Sequence, residues 1–268
     1  MARNQKQKKR RRGTHPAVII LFNILMVVIV VCLCRIVPYM LSNYESNQTY
    51  SYLSDSYIDT AESGDAEDWW AEVDIDFDAL QAINSDIVAW IRFDDTDAVP
   101  IDYPILYDGT NDGYIHTDIY GEYSYEGSLF IEKSNAGDFR DMNTIIYGHA
   151  MRNGHMFGSL KYYRRDSSFV ESNDYFTIYQ PGLAKRYQIF SYFTTEADSD
   201  VYQIGFATRS AAYNEYLEYL VSNSMTDCGY TPSSGEQIVI LSTCATGYGT
   251  ATQRFVVFGA CIDEADTD

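Results

Sequence analysis

From Ala17 to Cys34 the chain is an apolar run of 18 residues with one polar member, Asn23. A helix over that run is about 27 Å long, enough to cross the hydrocarbon core of a bilayer. From Leu41 to about Glu72 the sequence turns polar, rich in Ser, Asp, Glu and Tyr and without a helical or strand period, and it reads as a stalk. Periodic patterning resumes near Asp74. Phe77, Leu80 and Ile83 recur at helical spacing behind acidic residues, and Asn84-Ser85-Asp86 ends that helix before a strand over Ile87–Phe93. Short β signals then dominate, at Val99–Leu106, Ser128–Glu132, Asn143–Tyr147, Asp174–Gln180 and Arg186–Thr195, with Pro181-Gly182 marking a hairpin between the last two. Helical periods interrupt them at Met156–Arg164 and Phe206–Ser222. Two final strands are expected over Gln237–Leu241 and Phe255–Ile262. Seven or eight short strands with polar connections predict a mostly β domain, a closed barrel or a sandwich.

Charge sharpens the division into parts. Eight of the 19 Lys and Arg residues lie in the first 35 positions, and no Asp or Glu precedes Glu45, so the remainder carries 11 basic against 38 acidic residues, a formal −27. Nucleic acid is therefore excluded as a partner of the main domain, because phosphate binding needs a basic surface. The basic cluster ahead of the apolar run predicts a cytoplasmic N-terminus and an extracellular remainder. Arg-Ile-Val-Pro-Tyr-Met-Leu follows Cys34 and offers no small-residue cleavage site, which favours an uncleaved anchor over a signal peptide. The expected organisation is a basic tail (1–16), an anchor (17–37), a stalk (38–73) and a catalytic domain (74–268).

The candidate chemistry lies near the C-terminus. Cys244 ends the QIVIL strand, and Arg254 opens the next strand after the small, polar loop from Ala245 to Gln253. A thiol beside a fixed positive charge gains thiolate character, and an arginine fork can hold a developing oxyanion. The missing proton carrier must come from four histidines. His15 precedes the anchor, His116 sits in an Asp- and Tyr-rich loop with no evident partner, and His155 lies in a glycine-containing turn. His149 leaves the end of the Asn143–Tyr147 strand through Gly148, and a strand-end His with a strand-end Cys forms a nucleophile and base arrangement. Cys228 and Cys261 are expected as buried thiols in preference to a bridge. No CxxC or HxxxH spacing and no EF-hand loop follows the apolar run, so neither metal nor cofactor is expected.

These blocks resemble the class B sortases. Asn143-Thr144-Ile145-Ile146-Tyr147-Gly148-His149 with Met151, Asn153-Gly154 and Met156-Phe157 is similar to their histidine block, and Leu241-Ser242-Thr243-Cys244 with Arg254 to their cysteine block. Asp102-Tyr103-Pro104-Ile105-Leu106 and the opening from Asp76 to Phe93 also match, so the likeness covers about residues 74–262. The resemblance implies a closed sortase-type β-barrel with an N-terminal helix and a long helix inserted before the cysteine strand. It implies a transpeptidase in which Cys244 attacks a C-terminal sorting signal of a secreted surface protein and forms a thioester. His149 moves the proton, Arg254 holds the oxyanion, and a peptidoglycan-precursor or pilin amine receives the acyl group. It also implies a peptide groove lined by Leu106, Tyr147, Ser242 and Thr243, with Asp102 where a neutral Asn is common. The loop from Ala245 to Gln253 is small and uncharged where the family is acidic and aromatic. Two other readings stay open: a pilin polymerase of the same fold, and a membrane-anchored binding module whose Cys and His are structural.

Overall fold

The computed structural model describes residues 16–60, 68–244 and 252–267, and the chain divides into two compact units, Met1–Tyr44 and Glu45–Asp268. Helix α1 spans Pro16–Tyr57, and its stretch Pro16–Pro38, with a mean hydropathy of 3.2, is long and apolar enough to cross a membrane.

The expected stalk differs in the structure. The last turns of α1 fall in the second unit, where Leu53 is wholly buried and Tyr50 nearly so. Strand β1 (Ile58–Thr60) then pairs antiparallel with β2 (Val73–Ile75). Tyr50 and Leu53 are three residues apart and share a helix face. Two apolar positions in a polar stretch make no visible period, yet they dock on a surface that already exists: Tyr50 meets Tyr103 edge-on at 5.1 Å, and Ser54 donates to Asp102 at 2.8 Å.

Helix α2 (Phe77–Ile83) forms where the pattern predicts it, capped by Asp76, whose carboxylate accepts the Ala79 N–H at 2.9 Å, with Phe77 and Leu80 turned into the core. Strands β3 (Ile87–Phe93), β4 (Asp102–Leu106), β5 (Leu129–Ile131) and β6 (Asn143–Gly148) follow. Strand β4 starts three residues later than expected because Pro100 has no N–H to donate to a ladder. The helix expected over Met156–Arg164 is a tight turn at Phe157–Leu160 followed by a five-residue helix α3 (Lys161–Arg165). Strands β7 (Tyr175–Gln180) and β8 (Leu183–Glu196) form the expected hairpin, with Gly182 at φ +76°. Helix α4 (Ala211–Ser222) begins only after Ser210, whose hydroxyl accepts the Tyr213 N–H, so Phe206 lies outside the helix and stacks on Tyr216 at 4.7 Å. Strands β9 (Ile238–Cys244) and β10 (Gln253–Asp266) complete the domain.

Eight strands close into a barrel in the order β10-β8-β7-β3-β4-β5-β6-β9. Closure explains the uniformly apolar QIVIL segment. Val239 and Leu241 join the main core, whereas Ile238 and Ile240 join a second core with Tyr213, Leu217 and Leu220 of α4. A strand buried on both faces loses the polar alternation of a half-exposed one. Cys228 and Cys261 are free thiols, and burial pushes them up to about 11 and about 12 respectively.

Candidate active site

The site follows from the pairing of β6 with β9. The two strands are parallel neighbours, with Tyr147 opposite Ser242 and Gly148 opposite Thr243. Their next residues are His149 and Cys244, so two strand ends that lie 95 positions apart in sequence emerge side by side. Antiparallel β10 places Arg254 directly opposite Cys244 on its other flank. Neighbouring strands are about 4.8 Å apart. The backbone of Cys244 is thus bracketed by a histidine-bearing strand end and an arginine-bearing one. The loop from Ala245 to Gln253, read in the sequence as the least family-like part, lies mostly outside the described residues.

A cavity of about 270 Å³ opens over this end of the barrel. His149, Arg254, Tyr147, Ser242 and Thr243 line it, five of the residues singled out by sequence. Leu106 and Asp102 do not. Leu106 is fully buried in β4 opposite Ile87 and Phe130, and Asp102 faces elsewhere, accepting from Trp90 Nε1 at 2.6 Å and from Ser54 while lying 3.5 Å from Arg92. Both stand in a segment of family-like sequence, and the strand direction carries them away from the cavity. The remaining walls come from residues with no motif of their own: Asn111, Ile115 and Ser128 from the β4–β5 connection, Phe130 from β5, and Ala197 and Tyr202 after β8.

Hydrogen bonds fix the polar lining. Tyr202 and Ser242 share a 2.9 Å hydroxyl contact. Glu132 accepts from Tyr147 Oη at 3.0 Å and from Asn111 Nδ2 at 2.7 Å. Burial, reinforced by the Glu132 charge, raises the Tyr147 phenol far above its ordinary value, so it stays neutral and acts as a donor. Thr243 Oγ1 is buried without a hydrogen-bond partner among the described residues.

His149 is half-buried, and its Nε2 lies 2.8 Å from the Ile115 carbonyl. A carbonyl only accepts, so Nε2 carries the proton and Nδ1 is the basic nitrogen of the neutral ring. Desolvation lowers the His149 pKa below that of an ordinary histidine; the Ile115 carbonyl opposes that shift and the neighbouring His116 adds to it. The imidazole is therefore neutral at pH 7 and ready to take a proton.

Two other histidines have partners the sequence did not reveal. His116 stacks on His149, centroids 5.2 Å apart and planes 17° apart. His155 places Nδ1 3.1 Å from both oxygens of the fully buried Glu126 carboxylate. Neither is the isolated turn residue its local sequence suggests.

Gly148 is a tight point of the frame. A Cβ there would lie 2.4 Å from Leu129 Cδ2 and 2.8 Å from Phe157 Cδ2, so a side chain there forces Leu129 and Phe157 or the strand end that carries His149 to shift. In Gly148→Ala, peptide turnover is expected to fall about 100-fold, the effect of roughly 1 Å misplacement of a reacting group. Steady-state kinetics beside a urea melt checks this, the loss of kcat exceeding anything the change in stability accounts for.

Comparison with known proteins agrees with the geometry. The sortase domain family model matches residues 95–262. Sortase B of Listeria monocytogenes is 31% identical over 220 residues, covering 82% of this chain and 87% of the relative. The crystal structure of a Bacillus anthracis sortase B superposes with a TM-score of 0.67 at 30% identity, covering 84% of this chain and 99% of that one. A Staphylococcus aureus sortase B–substrate complex gives 0.64 at 25% identity, covering 82% and 94%. With its closed eight-stranded barrel and its match to the family over most of its length, the chain belongs to the sortases, in class B, a family of cysteine transpeptidases.

Proposed function

We propose that this transpeptidase cleaves the C-terminal sorting signal of secreted surface proteins and transfers the new acyl end to a cell-wall amine, with Cys244 as nucleophile, His149 as proton carrier and Arg254 as oxyanion holder. The observation that carries the reading is the register that brackets Cys244 between the β6 end at His149 and Arg254 of β10, beside one cavity.

The Cys244 thiol gives its proton to neutral His149 at Nδ1, and the thiolate attacks the scissile carbonyl. Negative charge develops on the carbonyl oxygen, and the Arg254 guanidinium stabilises it. The carbon–nitrogen bond breaks as His149 returns the proton to the leaving amine, and a thioester remains. An incoming amine then attacks the thioester and loses a proton to His149, the carbon–sulfur bond breaks to leave the amide, and His149 returns that proton to the departing sulfur. Tyr147, Ser242 and Thr243 hold the peptide flanking the scissile bond. Residues 17–37 anchor the chain with its N-terminus in the cytoplasm and the catalytic unit outside, where a peptidoglycan precursor shares the membrane plane.

Mass spectrometry of full-length enzyme incubated with a panel of sorting-signal peptides checks the reading. The expected species is an acyl adduct on the Cys244 peptide that disappears on adding a peptidoglycan-stem amine and gives the amide. An adduct on another residue, or no adduct with any peptide, sinks it; an amide formed only with a pilin lysine reassigns the acceptor.

A further inference from the structure

The segment between Tyr114 and Ser128 closes on itself as a strap beside the catalytic histidine. Ser128 N–H donates to the Tyr114 carbonyl at 3.0 Å, Ser124 N–H to the His116 carbonyl at 3.0 Å, and Thr117 bridges Tyr123. Gly127, at φ +59°, closes the base; a Cβ there would lie 2.3 Å from the Ile115 carbonyl oxygen. That same carbonyl receives Nε2–H of His149. The next residue of the strap, His116, lays its ring over the face of His149, and Tyr123 flanks the His116 ring at 6.0 Å. The strap thus grips the His149 ring on an edge and on a face, and the facial contact is itself an imidazole.

We propose that His116 is a positioning residue for transpeptidation, holding the His149 ring by stacking and, when protonated, opposing a second positive charge on His149. The inference rests on His149 as the proton carrier. Geometry supplies both effects. A stacked aromatic ring restricts rotation of the imidazole about its Cβ–Cγ bond and so keeps Nε2 on the Ile115 carbonyl and Nδ1 as the basic atom. Two imidazolium rings with centroids 5.2 Å apart repel. The other groups facing the pair are Arg254, which lines the same cavity as His149, the strand end at Cys244, and Tyr123 against His116. The His116 imidazole is the group laid against the face of the His149 ring, and its charge opposes protonation of His149.

The sign is definite. A like charge disfavours the imidazolium, so His149 stays a base to lower pH with His116 present than without it. The acid limb of turnover, where the base is lost to protonation, then lies at lower pH in the wild type than in His116→Phe.

Full-length enzyme in detergent, labelled at its four histidines with ¹⁵N, tests this by NMR titration without any substrate. In His116→Phe, which keeps a stacking ring and removes the charge, the His149 midpoint is expected to rise by about 0.5 unit, the size of a Coulomb repulsion across some 5 Å in a largely aqueous setting. In His116→Ala, which removes the ring, the His149 nitrogens are expected to lose the single Nε2–H tautomer and show averaging of both. A midpoint unmoved in His116→Phe overturns the charge coupling, and a tautomer unchanged in His116→Ala overturns the clamp. Neither readout depends on turnover, so their failure is distinct from a failure of His149 as the base, which His149→Ala kinetics reports.

Discussion

Replacing Cys244 with alanine is expected to abolish turnover of sorting peptides, lowering kcat/KM on the order of 10⁴-fold or more. Without the sulfur no covalent intermediate can form, and a bracketing His and Arg have nothing to activate. Stability should hardly change, because the substitution lies at the last residue of β9, whose backbone stays paired with Arg254 of β10 while the β6 ladder already ends at Thr243. A methanethiosulfonate reagent supplies a second reading. Burial pushes Cys228 up to about 11 and Cys261 up to about 12, so both stay protonated at pH 7, while Cys244 beside Arg254 should label first. Cys32 and Cys34 lie exposed on the apolar stretch of α1, and peptide mapping separates them from Cys244. Undiminished turnover in Cys244→Ala, or an inert Cys244 in the folded enzyme, would mean that the nucleophile is elsewhere and that a structural thiol occupies this strand end.

The second large effect is expected at His149. Loss of a positioned acid and base lowers rates about 10²–10⁴-fold, and His149→Ala should fall near the upper end because the same ring serves both half-reactions. The defect should appear in kcat more than in KM, since the imidazole handles the proton and other residues hold the peptide. The pH profile adds a sign. Desolvation holds the His149 pKa below the ordinary value for histidine, so activity that needs the neutral ring should persist somewhat below pH 6.5 and decline only on stronger acidification. Stopped-flow measurement of acylation from pH 5 to 9 checks both points. A profile that falls already at pH 7, or a His149→Ala enzyme with normal acylation, contradicts the assignment.

Much of this site was legible from local chemistry because its core lies at strand ends. Ile238–Leu241 and Ile145–Tyr147 are short apolar runs of the kind that strands buried on both faces carry, and each leads within three residues to its candidate residue, Cys244 or His149. The walls were less legible because tertiary contacts place them. Asn111 becomes part of the site by bonding Glu132, 21 positions away, and Tyr202 by meeting Ser242, 40 positions away. His116 looked unpartnered because its partner is 33 residues on and meets it face to face, leaving no trace in spacing. Leu106 and Asp102 show the converse. Family-like sequence marks a segment, but the turn of the barrel decides which of its side chains reach the cavity.

The docked end of α1 bears on how the protein can be handled. A chain trimmed at Asp68, a few residues ahead of Asp74 where sequence patterning begins the domain, loses β1 and leaves the N–H and C=O groups of Val73–Ile75 unpaired along an open edge. It also uncovers Tyr103, against which Tyr50 packs, and removes the Ser54 hydroxyl from Asp102. Such a fragment gains a sticky strand edge next to newly bare aromatic surface, the combination that drives edge-to-edge aggregation during expression. A soluble version that begins at Glu45 keeps that edge covered.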